Sequence, residues 1–441
     1  MSRDATTGDP RRWRLVFGIL AVVGVSALVA FCRRVFAIRQ RPSWPPSPRA
    51  VTSAGARAAT EGYAGGTLEF AWSTAATIEP WVEGESFFPR IFADVEAATS
   101  SVHILMFGWR EGTIGTTMAE LLRRKLAEGV EVRVVVDGFG SRPYAAARKM
   151  FAGLSSAGAE IVVNDFSIFE RRGLYPDRQQ RVLRRGELGR VDHRKLYVVD
   201  GTVAWTGGAG LEDHFESGAF HDVMVRFTGD VVLQAQAAFL TSFRARGGPL
   251  PGDLAGVFPE QPDRGTTPVA LAQVSPGGEV AATQAIMEQL DGATGRLDVA
   301  NPYLTDREAI ARVIATARRG AKVRVLVSEV SNNAQASAAL RHRYAELAAA
   351  GVEVYELPGT VVHAKVVVAD DVVSFGTVNL DAWALYRNWE IMLIARSPEL
   401  AELFEERLFE PDIARAQAAV PAGSVRERLE CWVADKLTFL L

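Results

Sequence analysis

Val191-Asp192-His193-Arg194-Lys195-Leu196-Tyr197-Val198-Val199-Asp200 decides how the rest of the chain is read. It has the form His-x-Lys-x4-Asp, and the form returns at His363-Ala364-Lys365-Val366-Val367-Val368-Ala369-Asp370. The 441-residue chain holds six His and six Lys. Random placement would give about 0.08 His-x-Lys pairs, so two copies with an Asp at the same offset stand above the false-positive rate of short motifs. A β-rich run follows each copy, then Gly207-Gly208-Ala209-Gly210 in one and Gly376-Thr377-Val378-Asn379 in the other. A strand would set each His and Lys two apart on one face. The Gly-rich turn after it would let bare backbone N–H groups approach an anion. An imidazole, an ammonium and bare amides, twice over, point to a phosphate site. The alternative is two unrelated strands with a surface His, and the second copy argues against it.

These paired motifs resemble the phospholipase D superfamily and, within it, the bacterial cardiolipin synthases. Val134-Val135-Val136-Asp137-Gly138-Phe139-Gly140-Ser141, Asn301-Pro302-Tyr303 and Gly376-Thr377-Val378-Asn379-Leu380-Asp381 sit where that family has similar runs. The resemblance covers roughly residues 80 to 415. It implies an α/β fold: two fused phospholipase D-like α/β domains forming one pseudo-two-fold active site. It also implies a two-step reaction, with one His forming a phosphohistidine and the other acting as general acid and then base. By analogy His193 is the nucleophile and His363 the acid/base, while Lys195 and Lys365 neutralise the non-bridging oxygens. Asp200 and Asp370 complete the catalytic motifs, with a structural role expected of them. Asp222, 29 residues after His193, and Glu390, 27 after His363, are the expected His-orienting carboxylates. Gly207, Gly208, Gly376, Thr377 and Asn379 are the expected phosphate-binding residues. No metal and no cofactor is implied.

The expected function is a membrane-anchored, cardiolipin synthase-like phosphatidyltransferase that transfers a phosphatidyl group to phosphatidylglycerol. A phospholipase D hydrolase, a nuclease of the superfamily and an inactive lipid-binding relative stay open as alternatives. Two departures from the family pattern are visible. Gly210 stands where the first half usually has Asn. Five residues separate Asp370 from Gly376, against six between Asp200 and Gly207. Both changes are expected to touch the phosphate cradle.

Composition fits this picture. The chain is 48% hydrophobic and 23% charged, with a formal net charge of −3. It therefore lacks the global basic field of many nucleic-acid binders, and no nucleic-acid partner is expected. The two cysteines, Cys32 and Cys431, lie at opposite ends and suggest neither a disulfide framework nor a metal site. Leu15 to Cys32 is an uncharged run of 18 residues, with Arg11, Arg12 and Arg14 before it and Arg33 and Arg34 after it. That length spans a bilayer as a helix. No small-x-small cleavage site ends the run, so an uncleaved single-pass anchor in the cell membrane is favoured over a signal peptide. Arg on both sides leaves the orientation open.

The expected order is a tail (1–14), a transmembrane anchor (15–34), a Pro/Gly/Ser-rich linker (35–75) and a first domain (76–247). A second linker (248–267), a second domain (268–415) and an amphipathic tail (416–441) follow. The domains are an internal duplication. Helical periodicity over Phe87 to Ala98 precedes a strand at Val102 to Phe107, and Ala282 to Leu290 precedes Leu297 to Ala300. Helix-like Met118 to Ala127 and strand Val132 to Val136 match Ile310 to Arg318 and Val323 to Val327. A further strand, Ile161 to Val163 or Val352 to Tyr355, leads toward each motif. The first half then inserts an Arg-rich stretch between Asn164 and Asp192, containing Arg171, Arg172, Arg178, Arg181, Arg184, Arg185 and Arg190. It reads either as a solvated Arg-rich helix or as a segment that steers anionic headgroups. In the tail, Val425, Leu429, Trp432, Val433, Leu437 and Leu440 fall near one helical face, expected to dock on the body or to meet the membrane interface. Phospholipids and a membrane are the expected partners; oligomeric state stays open.

Overall fold

The computed structural model describes residues 72–141, 145–164, 169–172, 180–183 and 190–438. The expected anchor at 15–34 lies outside them. Among the described residues no helix is long and apolar enough to cross a membrane.

Two sheets stand back to back. The chain enters through β1 (Trp72–Ala75) and β2 (Thr77–Val82), which part company at once. β2 joins the first sheet with β3 (Ser101–Met106), β4 (Glu131–Asp137) and β5 (Glu160–Asn164). A two-stranded hairpin, β6 (Phe169–Arg172) and β7 (Gln180–Leu183), comes next. The first motif lies on β8 (Lys195–Val199), which turns into β9 (Val203–Gly207). Short β10 (Phe220–His221) and then β11 (Val223–Thr228) follow. The first sheet has the order β2-β11-β9-β8-β3-β4-β5.

The second half repeats the plan with β12 (Thr267–Val274), β13 (Arg296–Ala300), β14 (Lys322–Ser328) and β15 (Val352–Leu357). Short β16 (Val361–Val362) leads to β17 (Val366–Ala369) and β18 (Val372–Gly376), then β19 (Glu390–Arg396) and β20 (Gln417–Ala418). The order is β1-β12-β19-β18-β17-β13-β14-β15-β20. In each sheet the central parallel strands, β3 and β4 in the first and β13 and β14 in the second, are buried along most of their length on both faces, which their apolar runs allow.

Strand alternation divides the side chains between cores. Leu196 and Val198 of β8 and Val366 and Val368 of β17 meet in one core shared by both sheets. Tyr197 and Val199 point instead to the outer helices of the first half, and Val367 and Ala369 to those of the second. Those outer helices are amphipathic: Ile114, Met118, Leu121 and Leu122 form the buried stripe of Thr113–Ala127. The helix Val231–Ala245 differs, being buried all round from Val231 to Phe243, because it lies in the shared core. Burial of each of its two phenylalanines, Phe239 and Phe243, is worth about 1.5–3 kcal/mol.

Three sequence expectations are corrected. Trp72–Ala75, assigned to the linker, is an edge strand that pairs antiparallel with β12. Phe169–Arg172 and Gln180–Leu183, in the Arg-rich insert, form a hairpin and not a helix; the rest of 165–189 lies outside the described residues. In the tail, the helix Val425–Lys436 docks through Cys431, Ala434 and Asp435. Asp435 takes Arg307 at 3.1 Å and Arg343 at 2.8 Å. This ion-paired contact decides which face is covered, and Val425, Leu429, Trp432 and Val433 are left exposed.

Candidate active site

The site is built by chain crossing between the halves. Trp389 N–H donates to Val191 O at 3.0 Å, and His193 N–H donates to Trp389 O at 3.0 Å. In the mirror position, β10 pairs in parallel with β16, and His363 N–H donates to His221 O at 2.7 Å. Each histidine is thereby laid against the residue that precedes a carboxylate of the opposite half. Glu390 meets His193, with Oε2 3.1 Å from Nδ1. Asp222 meets His363, with Oδ2 2.7 Å from Nδ1. Each carboxylate thus contacts a histidine at Nδ1, but crossed: neither meets the histidine that precedes it in its own half. With Nδ1 engaged, Nε2 is the nitrogen left for substrate.

The lysines converge on the same place. Lys195 Nζ donates to His193 O at 2.7 Å and sits 4.9 Å from the Phe107 ring centroid. Lys365 Nζ donates to His363 O and lies 2.8 Å from His363 Nδ1. Phe107 packs edge-on against His193 at 4.7 Å, and Phe215 and Phe220 pack on His363 at 5.3 and 5.4 Å.

Burial dominates the electrostatics. It holds both imidazoles well below their ordinary range, and both lysines add to the effect. Burial also lowers Lys195 to about 8 and Lys365 to about 7. It raises Asp222 to about 7 and Glu390 to about 8, against the pull of the lysines. Near neutral pH the imidazoles are thus neutral bases, with protonatable groups at hydrogen-bond distance. An entering phosphate would favour the charged lysines.

Asp200 and Asp370 do not join the site, which corrects their place among the catalytic residues. Each lies beyond the far end of its motif strand in a left-handed conformation, with φ of 51° and 52°. Asp200 accepts from Thr99, Ser100 and Ser101 N–H at 2.8–2.9 Å, and Asp370 from those of Thr294, Gly295 and Arg296. Each therefore pins a hairpin turn to the loop that enters the neighbouring strand, β3 or β13. Burial raises both carboxyls, but the backbone donors outweigh it and hold them below their ordinary value. The one-residue difference between the halves is absorbed at these turns. Val199 faces Val203 across three residues, whereas Ala369 faces Val372 across two. The shorter spacing thus leaves the active-site end of the strands unaltered, contrary to expectation.

The Gly-rich turns also do something other than expected. Gly208 N–H donates to Val223 O at 3.3 Å, Gly376 N–H to Lys365 O at 3.3 Å and Thr377 N–H to Ile391 O at 2.9 Å. These amides are occupied, not bare. Glycine is needed here for closeness: a Cβ at 207 would lie 2.1 Å from Val223 O, and one at 208 would lie 2.4 Å from Asp222 Oδ1. Thr377, the counterpart of Gly208, donates its hydroxyl to Glu390 Oε2 at 2.6 Å. Asn379 is buried and its Oδ1 has no hydrogen-bond partner.

Several positioning residues went unread in the sequence. Asp137, at the end of β4, accepts from Asp192 N–H at 2.8 Å and from Asn164 at 2.7 Å. Its counterpart at the end of β14 is Ser328, whose Oγ accepts from Val362 N–H at 2.8 Å. Each thus fixes the residue just before a histidine. Asp137 lay inside the quoted Val134–Ser141 run, so its position at a strand end was the available signal. Asp192 makes a bidentate pair with Arg194 at 2.7 Å, and Arg246 joins at 2.7 Å. Arg194 reaches the second half through Gln273 at 3.0 Å. Beside Asp222, His221 is sandwiched between Glu83 and Asp412, the latter 2.6 Å from Nε2. Burial alone would lower it; the two carboxylates instead raise it to about 9.

Known proteins resemble this chain in sequence and in fold. A family model described as cardiolipin synthase, PLD-like domain, matches residues 286–411. Cardiolipin synthase A of Pseudomonas putida is 30% identical over 335 residues, spanning 74% of this chain and 66% of that protein. Cardiolipin synthase A of Edwardsiella ictaluri is 26% identical over 428 residues, spanning 87% and 82%. Among solved structures, phosphatidylserine synthase of Haemophilus influenzae superposes with a TM-score of 0.61 at 13% identity. That match covers 83% of this chain and 92% of that one, and establishes likeness of fold.

Proposed function

The chain belongs to the phospholipase D superfamily and is most like the bacterial cardiolipin synthases, and on that footing we propose a phosphatidyltransferase that makes cardiolipin from phosphatidylglycerol through a phosphohistidine. The observation that carries the reading is the crossed pair: two buried histidines, each held through Nδ1 by a carboxylate of the opposite half, with two buried lysines beside them.

In the first step His193 Nε2 attacks the phosphorus of a donor phospholipid, and the headgroup alcohol leaves with a proton from the His363–Asp222 pair. In the second step the same pair takes the proton of an incoming hydroxyl, which attacks the phosphohistidine and frees His193. Lys195, Lys365 and Asn379 hold the non-bridging oxygens as negative charge shifts onto them. With phosphatidylglycerol as both donor and acceptor, the products are cardiolipin and glycerol. Residues 15–34 would anchor the enzyme to the membrane that holds its substrates.

The test is mass spectrometry of lipids after incubating purified full-length protein with labelled phosphatidylglycerol. Labelled cardiolipin is expected, and added glycerol should drive it back to phosphatidylglycerol. Phosphatidic acid as the sole product would identify a hydrolase instead, and an unchanged lipid pool would overturn the reading.

A further inference from the structure

Gly210 and Glu212 form a linked departure at the edge of the site. The corresponding positions in the second half are Asn379 and Asp381. Asp381 is consumed locally: it caps the helix Ala382–Tyr386 by accepting from Trp383 and Ala384 N–H at 2.9 and 2.8 Å. Glu212 makes no such cap. Its longer side chain turns back into the space that a residue at 210 would fill. A Cβ on Gly210 would lie 2.8 Å from Glu212 Oε2, and one on Gly108 would lie 2.4 Å from the same oxygen.

That space lies between the two histidines' surroundings. Gly108 follows Phe107, whose ring packs on His193 and beneath Lys195. On the other side, His214 Nε2 is 3.9 Å from Glu212 Oε2. His214 packs on Phe215 and Phe220, the two rings against His363. Arg110 Nε holds Glu212 Oε1 at 2.7 Å. Arg110 is half exposed while the Glu212 side chain is 11% exposed, so the carboxylate is mostly buried behind a partner that reaches solvent.

We propose that Glu212 is a headgroup-recognition residue, whose carboxylate accepts a hydroxyl of a glycerol-type polyol bound beside the reacting phosphate. This rests on the phosphatidyltransferase reading and deepens it. A carboxylate selects hydrogen-bond donors, and its bonds are about twice as strong as neutral ones. The choice of a neutral donor over an ammonium follows from the neighbours. Arg110 already neutralises the charge of Glu212, and Lys195 stands beyond it, so a cationic headgroup would meet net repulsion. A vicinal diol meets none: one hydroxyl reacts and the next binds Glu212.

The experiment uses full-length protein in mixed micelles with phosphatidylglycerol as donor and three acceptors. These are the glycerol headgroup of phosphatidylglycerol itself, deuterated free glycerol, and 1-propanol, which lacks the second hydroxyl. Wild type should favour the glycerol acceptors over 1-propanol. Glu212→Gln should lower that preference about tenfold, the size of one charged hydrogen bond. Gly210→Asn, whose Cβ would crowd both the carboxylate and the Gly108 carbonyl oxygen, should lower it in the same direction. A loss for the lipid headgroup alone, or for free glycerol alone, supports the site and says which source fills it. A ratio that stays constant in both variants, even as total turnover falls, overturns the proposal, because a purely structural role would depress all acceptors alike. Wild-type protein that makes no phosphatidyl product from any acceptor would overturn the phosphatidyltransferase reading itself.

Discussion

The two His-x-Lys motifs present matching side chains on different supports. Around His193 the flanking residues are Asp192 and Arg194, a buried bidentate ion pair extended by Arg246 and Gln273. Around His363 they are Val362 and Ala364, apolar members of the shared core. The carboxylate strands differ in the same way. Asp222 follows His221, which is locked between Glu83 and Asp412, whereas Glu390 follows Trp389, on which Arg246 stacks at 4.9 Å. The imidazole, ammonium and crossed carboxylate are common to both sides. What holds them is ionic on one side and largely apolar on the other, so the scaffold constrains positions and leaves the means free.

The severest way to break the comparison is to remove a histidine. His193→Ala and His363→Ala should each lower turnover by about 10⁴-fold or more, and the double variant should be little worse than either. Steady-state assays check this, and activity within tenfold of wild type in either variant would deny a shared site. The next effect comes from the crossed carboxylates. Asp222→Asn and Glu390→Gln should each cost about 10²–10³-fold, through loss of imidazole orientation. In single-turnover experiments with a donor carrying an activated leaving group, Asp222→Asn should behave like the His363 variant and Glu390→Gln like the His193 variant. The opposite pairing would mean that each carboxylate serves its own half.

The supports themselves can be exchanged. Asp192→Val alone should destabilise the protein by about 3–5 kcal/mol, because it strands buried guanidinium groups. Adding Arg194→Ala, which writes the second motif's flanks into the first, should recover a good part of that loss. Denaturant midpoints measure both, and additive losses would show that the ionic support is not interchangeable with the apolar one. His221 offers a gentler probe. Its folded-state pKa of about 9 lies above the ordinary value of about 6.5, so its contribution is complete below the lower figure and is lost as pH rises through the upper one. Thermal stability should decline across that window in wild type and less so in His221→Gln. The smallest effect belongs to the motif aspartates. Asp200→Ala or Asp370→Ala should lower stability by about 1–3 kcal/mol and leave the turnover of the folded fraction within about twofold.

Much of this was legible in sequence because it is local. Periodicity placed the helices near Phe87 and Met118 and the strands near Val132 and Val323. The motif spacing picked out His193, Lys195, His363 and Lys365. The crossing was not legible, since Glu390 lies 197 residues from His193 and Asp222 lies 141 from His363, and no local pattern encodes such a contact. The aspartates were drawn toward the catalytic set by their fixed offset, although that offset places them beyond the opposite end of the strand. The tail helix misled because one buried carboxylate, Asp435, outweighed a longer row of apolar residues.

The crossed carboxylates also set a timetable. A chain synthesised from its N-terminus completes the first motif long before residue 390 exists, and until then His193 lacks the carboxylate that engages its Nδ1. His363 appears while its own partner, Asp222, is already made, but the two meet only when β16 has been laid beside β10. On the proposed two-step reaction, neither half alone holds a complete histidine–carboxylate pair, so the site is assembled only when both halves have come together.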